Sequence, residues 1–289
     1  MKRSLRLLTL AAAGLLVTAT VPHGHSASDS PVGDWDFVLG GKQRGVALMS
    51  FNPDSTISGT VIIRPVKPVL PATPVIDPRN PTGSSGRDGT KAPVSTNSSG
   101  TASNFVGSTT VLGMWTFDLK GNVVGFLANR YQDLSQSSTN GPVYVTNSVS
   151  FRGTARSGLR FNFNAYSSAG TVSYKGVPMV DLPDIDGDFV AQTRRSGTTS
   201  YDFFTLTQNL GGGLNTYDIS NGNAGAFLFG GGAILSRQKQ LAIVTLSGEE
   251  EPTLSSYVGP FNSTTRRGSL IGADNKPSYN IPFKIHPRQ

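Results

Sequence analysis

Apolar and polar residues alternate with a period of two along much of this chain. In the first such stretch, Trp35, Phe37 and Leu39 are separated by single residues. This spacing places large side chains on one face of a β-strand. Outside the N-terminal segment, no window keeps apolar residues at helical spacing for three turns. The alternating stretches, which we predict to be strands, include residues 35–39, 115–119, 159–163 and 242–246.

Turn-forming residues separate these stretches at short intervals. Gly40-Gly41, Lys120-Gly121-Asn122 and Ser196-Gly197 are typical examples, because glycine and asparagine adopt the backbone conformations that tight turns need. Short strands between regularly spaced turns indicate antiparallel hairpins. We therefore predict an all-β fold in which short hairpins build antiparallel barrel or sandwich units.

One segment breaks the strand pattern. Residues 65–104 are rich in Pro, Ser, Thr, Gly and Asn and have few apolar side chains. Such a composition buries too little apolar surface to offset the entropy lost on ordering, so we predict a flexible insertion. The predicted domains are residues 31–182, which contain this insertion, and residues 185–289. A single large barrel over residues 31–289 is the alternative.

A short motif occurs more than once. Gly33-Asp34-Trp35 is echoed by Gly113-Met114-Trp115, and a third copy at Gly187 has Phe in place of Trp. We interpret the copies as hairpin units that each open with a glycine and anchor a ring in the core. The Gly-x-Trp motif resembles the opening of lipocalin-like and avidin-like barrels over these three residues alone, which assigns no family. The resemblance implies that Trp35 and Trp115 either anchor the core or line a ligand cavity.

Aromatic residues in the C-terminal half add further candidates for ligand binding. Tyr201 and Tyr217 lie in predicted strands, where a ring either packs in the core or presents an apolar face to a sugar. The predicted ligand-binding residues are therefore Trp35, Trp115, Tyr201 and Tyr217. The expected partners are a glycan, a small apolar ligand or a surface protein.

The N-terminus has the pattern of a secretory signal peptide. Lys2, Arg3 and Arg6 precede an uncharged apolar run from Leu7 to Val21, and small or polar residues follow up to Ala27. The run is shorter than the roughly 20 residues of a membrane-spanning helix. We predict that residues 1–27 are a signal peptide and that the mature protein is secreted, periplasmic or attached to the cell surface.

Composition excludes several kinds of chemistry. The chain has no Cys, and two of its three His, His23 and His25, lie in the predicted signal peptide, which leaves His286 alone. Thiolate metal sites, cysteine nucleophiles and His-rich metal sites are therefore excluded. The formal net charge of +7 includes three cations of the predicted signal peptide, which leaves +4 (7 − 3) on the mature chain. The paired arginines Arg194-Arg195 and Arg266-Arg267 are isolated, and we interpret them as solvated turn residues. Nucleic-acid binders cluster basic residues with aromatics, so no nucleic-acid partner is predicted.

The densest acidic cluster is the one candidate for a metal site. Asp184, Asp186 and Asp188 are spaced by two, and carboxylates in a turn can converge on Ca²⁺. If Asp184 is counted as the first ligand, Phe189 and Arg195 occupy the positions of the glycine and the bidentate glutamate of an EF-hand loop. The segment is therefore interpreted as a solvated linker, with a Ca²⁺ site as the alternative and no other cofactor expected.

The residues favour binding over catalysis. Our leading hypothesis is an exported, non-enzymatic β protein that binds a ligand, a glycan or a protein partner, or forms part of a cell-surface or extracellular matrix. An outer-membrane β-barrel is the second hypothesis. The third is a secreted Asp-dependent hydrolase, for which the candidate carboxylates are Asp34, Asp36, Asp184, Asp186 and Asp188.

Overall fold

A computed structural model describes ten stretches of the chain: residues 29–66, 107–138, 141–156, 158–167, 170–195, 197–209, 213–221, 228–247, 253–274 and 279–288. The predicted signal peptide lies outside the described residues. So does the predicted flexible insertion, apart from its first two residues, since the description stops at Val66 and resumes at Gly107.

The described residues form an all-β structure of two closed antiparallel barrels. Each barrel has eight strands that follow one another in sequence order, and its first strand pairs with its last. The predicted all-β fold of short hairpins is therefore confirmed, and the units are barrels rather than sandwiches. Within the part of the chain that the structure describes, no helix is long and apolar enough to cross a membrane.

The first barrel lies N-terminal to the second, and residues 179–186 connect them. The strands of the first barrel are β1 (Gly33–Gly41), β2 (Gln43–Phe51), β3 (Thr56–Pro65), β4 (Gly107–Phe117), β5 (Val123–Ser138), β6 (Gly141–Arg156), β7 (Arg160–Ser167) and β8 (Gly170–Pro178). Those of the second are β9 (Gly187–Arg195), β10 (Thr198–Gln208), β11 (Thr216–Asn221), β12 (Leu228–Ser236), β13 (Gln240–Ser247), β14 (Thr253–Asn262), β15 (Arg267–Asp274) and β16 (Tyr279–Pro287).

Aromatic rings fill the interior of the first barrel. Phe161 packs edge-on against Phe37 at 5.7 Å and against Phe51 at 4.8 Å between ring centroids. Tyr174 stacks on Phe163 at 4.4 Å. Because these rings come from β1, β2, β7 and β8 and meet at the centre, the described interior is a packed core.

Apolar residues on the outer surfaces join the two barrels. Val46, Leu48 and Ile62 project from β2 and β3 and cluster with residues of β12, β13 and β14. The contributing residues of the second barrel are Ile234, Ala242, Val244 and Val258. The burial of apolar side chains outside both cores means that the barrels pack against each other through a defined interface.

Hydrogen bonds reinforce this interface. The buried carboxylate of Asp36 on β1 accepts a bond from Ser236 Oγ at 2.7 Å and one from the backbone N–H of Arg237 at 2.5 Å. Ser256 Oγ donates to the carbonyl of Ile63 at 2.7 Å, also within buried surroundings. Polar groups of the interface are therefore paired across it.

The predicted hairpin repeat is wrong in its second copy. Gly33 and Gly187 both begin the first strand of a barrel, with φ of 136° and 131°. Gly113 instead lies in the middle of β4. The equivalent positions are thus the openings of the two barrels, because Gly33 and Gly187 each enter a first strand through a positive-φ conformation that favours glycine, whereas Gly113 does not.

Arg266 covers the end of the second barrel at which Gly187 begins β9. The Arg266 guanidinium lies 4.8 Å from the centroid of the Phe189 ring, and it donates to the carbonyl of Ile185 at 2.9 Å and to that of Asp186. The interpretation of Arg266 as a solvated turn residue is therefore wrong. Its charge is held over a core ring and against backbone carbonyls.

Candidate binding face on the first barrel

The two tryptophans lie at the same end of the first barrel. Both are buried, and their indole N–H groups donate to backbone carbonyls, Trp35 to Pro31 at 2.7 Å and Trp115 to Asn52 at 3.2 Å. Trp35 also packs edge-on against Phe161. The structure places them as core residues of the barrel end, because their polar atoms and ring faces are occupied by the protein itself.

The two tyrosines proposed for ligand binding are in different environments. Tyr217 on β11 is buried in the core of the second barrel, where burial raises the pKa of its phenol to about 12. Tyr201 on β10 is 57% exposed and faces outward. Of the four predicted ligand-binding residues, Tyr201 alone presents its ring to solvent.

The three carboxylates of the proposed Ca²⁺ site each accept a hydrogen bond from a different residue, and burial together with the neighbouring Asp184 carboxylate raises the pKa of Asp186. Asp184 accepts from the backbone N–H of Asp186, and Asp186 accepts from that of Gln208 at 2.6 Å. Asp188 accepts from Thr205 Oγ1 at 2.6 Å. No group of three or more His, Cys, Asp or Glu side chains able to hold a metal occurs among the described residues. These aspartates fix the linker and the start of β9.

The remaining carboxylates of the hydrolase hypothesis are also tied to neighbouring strands. Asp34 on β1 accepts from Ser50 Oγ at 2.5 Å, which matches the Asp188–Thr205 bond at the opening of the second barrel. Asp36 is fully buried between the barrels. Burial raises the pKa of Asp36, although its bonds from Ser236 and Arg237 oppose that shift.

A polar groove runs over the outer surface of β6, β7 and β8. It has a volume of about 380 Å³. Asn162 and Asn164 project outward from β7 and form its floor, since residues spaced by two share one face of a strand. The neighbouring strands complete two cross-strand rows, with Thr154 and Lys175 beside Asn162, and Arg152 and Ser173 beside Asn164.

An ion pair holds one side of this groove. Arg152 bonds to the Asp118 carboxylate at 2.5 Å. The Asn122 side chain, which also lines the groove, donates to the same carboxylate and lowers the pKa of Asp118, with further contributions from backbone N–H groups and from Arg152. Arg152 is thereby oriented by a turn of the barrel. Lys175 remains an exposed cation on the opposite side.

Exposed aromatic side chains continue the groove toward β5. Tyr166 on β7 is 46% exposed and Phe126 on β5 is 43% exposed. The register aligns both with Ser150 on the intervening strand, so two strand spacings, about 9.6 Å, separate their backbones. Met114 on β4 lies beside Phe126 and extends the row. We call the groove together with Phe126 and Tyr166 the binding face.

The binding face combines polar side chains with exposed rings. The carboxamides of Asn162 and Asn164 can each donate one hydrogen bond and accept another, so each can bind two neighbouring hydroxyl groups. Hydroxyl and guanidinium groups of the lining add further donors. Exposed rings offer flat apolar surface. None of the residues of this face is among the predicted ligand-binding residues, which are Trp35, Trp115, Tyr201 and Tyr217, because aromatic rings alone do not indicate which strand face carries polar partners. The signal was the polar half of the same alternation, at residues 162, 164 and 166.

Comparisons of the chain with protein-family models, with curated proteins and with solved structures found no match.

Proposed function

We propose that this protein is an exported, non-enzymatic binding protein that holds a glycan on the binding face of its first barrel. The observation that carries the proposal is the outward row of Asn162, Asn164 and Tyr166 on β7, flanked by Arg152 and Lys175. A shallow polar groove with an adjacent ring matches a ligand that has hydroxyl edges and an apolar face.

The packed interior of the first barrel supports binding at its outer surface rather than inside it. Lipocalin-like barrels bind ligands inside, but here the described interior of the first barrel is filled by packed rings such as Phe37, Phe51 and Phe161. A ligand therefore meets the outside of the barrel. On that outside, the binding face contributes both hydrogen-bonding groups and exposed rings.

The polarity of β7 favours this proposal over an outer-membrane barrel. On β7 the apolar Phe161, Phe163 and Ala165 point inward while Asn162 and Asn164 point outward. Strands of outer-membrane barrels have the opposite arrangement, with an apolar band facing lipid. The hydrolase hypothesis has weaker support, since its carboxylates are engaged in hydrogen bonds within the fold, as at Asp34, Asp36 and Asp188.

A panel of neutral oligosaccharides tests the proposal by calorimetry on the chain from residue 28. We expect at least one neutral oligosaccharide to bind. Replacing Tyr166 by Ala should weaken that binding about fivefold to tenfold, the typical value of one aromatic contact. Asn164→Ala should weaken it as well, because a donor and an acceptor are lost from the floor of the groove.

Leu214→Ala is the control, since it removes a comparably exposed apolar side chain from the other barrel. It should leave affinity for the same oligosaccharide unchanged. Absence of binding across the panel, or equal losses in Tyr166→Ala and Leu214→Ala, would contradict the proposed site.

A further inference from the structure

The outer surface of β9, β15 and β16 on the second barrel carries an excess of positive charge. Lys284 and Arg288 project outward from β16, with His286 between them, and Arg194 projects outward from β9. Arg267 lies at the start of β15, next to His286, since the register pairs Gly268 with Ile285. We call Arg194, Arg267, Lys284, His286 and Arg288, together with Tyr201, the basic face.

The strands hold these basic side chains in an extended row. Lys284, His286 and Arg288 are two residues apart, so their backbones follow one another at intervals of about 6.8 Å along β16. On the outward side of β9, Asp188 borders the described part of this surface and already accepts a bond from Thr205, whereas Asp202 occupies the inward alternation of β10. The four lysine and arginine side chains therefore outweigh Asp188, and their spacing suits a linear ligand that carries repeated negative charge.

An exposed ring lies beside the cations. Tyr201 is paired with Gln192, which is in turn paired with Lys284, so ring and cation share one row across three strands. Phe203, the neighbouring outward ring of β10, is covered by the Arg288 guanidinium at 5.1 Å from its centroid. One open ring beside a line of cations fits a sugar chain with acidic groups. Single-stranded nucleic acid instead uses several open rings on which successive bases stack.

We propose that the basic face of the second barrel binds an acidic polysaccharide. This site is separate from the binding face of the first barrel, and it does not depend on the glycan-binding proposal made for that face. Its ligand is distinguished by charge: carboxylate or sulfate groups bind the cations, and a sugar ring lies against Tyr201.

Binding of the chain from residue 28 to four probes tests this proposal. The probes are polygalacturonate, dextran sulfate, neutral dextran and a single-stranded oligothymidine. The two acidic polysaccharides should bind, neutral dextran should not bind at this site, and oligothymidine should bind more weakly than either acidic polysaccharide. Affinity for the acidic polysaccharides should fall as salt rises, because polyanion binding releases counterions.

The double variant Arg267→Gln/Lys284→Gln should lower affinity for both acidic polysaccharides about tenfold, a typical sum for two exposed charge contacts. Its matched control, Lys120→Gln/Arg156→Gln, removes two exposed cations from the first barrel and should change affinity less than twofold. Equal losses in the two double variants would overturn the proposal, since binding would then follow total charge. Tighter binding of oligothymidine than of the polysaccharides would overturn it too.

The two proposed sites fail independently. Tyr166→Ala should weaken neutral oligosaccharides and leave dextran sulfate binding unchanged. Arg267→Gln/Lys284→Gln should have the reverse effect. If one variant has its expected effect and the other does not, the proposal tested by the second variant is wrong and the other stands.

Discussion

The buried carboxylate of Asp36 on the first barrel accepts hydrogen bonds from the second barrel. Its oxygens accept bonds from Ser236 and from the backbone of Arg237, and its own carbonyl accepts from the Gln238 side chain at 3.1 Å. From the sequence, Asp36 was a candidate catalytic acid. Its actual partners lie some 200 positions away along the chain, so no local pattern could identify its role.

Substitutions at Asp36 should separate its hydrogen bonding from its charge. Asp36→Ala leaves the Arg237 N–H and the Ser236 hydroxyl unpaired, so the free energy of unfolding should fall by about 1–3 kcal/mol. Asp36→Asn retains an acceptor for Arg237 and offers a donor to Ser236, and its cost should be less than about 1 kcal/mol. Urea denaturation measures both. An alanine variant as stable as the asparagine variant would contradict the interface role.

Comparison of the original chain with Asp36→Asn also tests how stability depends on pH, because the burial of Asp36 sets the sign of that dependence. Burial raises the pKa of Asp36, so the folded chain holds this proton more tightly than the unfolded chain does. The resulting stabilisation is complete below the unfolded pKa of about 3.9 and is lost as the pH rises through the raised folded pKa. The stability of the original chain relative to Asp36→Asn should therefore decrease from pH 3.5 toward neutrality. A relative increase would show that the hydrogen bonds outweigh burial.

At the level of strands, the alternation of apolar and polar residues predicts where the strands lie better than it predicts which face of each strand points into the core. Along β7, Phe161 and Phe163 point into the core as expected. Along β13, the predicted face of Ala242 and Val244 lies in the interface between barrels, whereas Leu241 and Ile243 fill the interior. Both faces of β13 are buried, so period two alone cannot tell which one faces the core.

The alternating pattern also predicts strands that continue beyond their ends in the structure. Phe117 ends β4 and is 43% exposed, and Leu119, two residues later, is fully exposed in the turn. Leu159 likewise lies in the turn before β7. Turn residues such as Gly121 and Gly158 set these ends, because a hairpin must reverse direction there whatever the hydrophobicity of its flanks.

Small residues inside the first barrel make room for its rings. A Cβ added at Gly176 on β8 would lie 2.4 Å from a ring carbon of Phe37 and 2.7 Å from the Phe161 carbonyl oxygen. Gly176→Ala should therefore lower the free energy of unfolding by about 1–3 kcal/mol through overpacking. Urea denaturation followed by tryptophan fluorescence measures it, because both tryptophans lie in this barrel.

Gly232→Ala on β12 is the matched control for this prediction. Its added Cβ would meet the Tyr217 carbonyl oxygen at an ordinary 3.6 Å. Far-UV circular dichroism in urea should show stability equal to or slightly above that of the original chain, because alanine loses less backbone entropy on folding than glycine does. If the two alanine variants were equally stable, the close packing at Gly176 would not limit the barrel.

For the whole molecule, the sequence predicted the type of structure but not how its units join. Barrel closure brings together β1 and β8, and β9 and β16, through pairings that no local signal specifies. The interface residues Val46, Ile62 and Val244 look like ordinary core residues of strands. The binding face depends on register across four strands, β5 to β8, so its residues become neighbours only in the folded barrel.

The interface between the barrels should make their unfolding cooperative. Ile62 projects from β3 into the cluster shared with Ile234 and Val258 and is 1% exposed. Ile62→Lys places a charge in this apolar contact, at a cost that separation of the barrels relieves. Tryptophan fluorescence reports on the first barrel alone, whereas far-UV circular dichroism reports on both. The two probes should give coincident thermal transitions in the original chain and distinct transitions in Ile62→Lys.

Thr110→Lys, on an exposed outer position of β4, is the matched control and should keep the transitions coincident. If the transitions already differ in the original chain, the barrels unfold as independent units and the interface contributes little to stability.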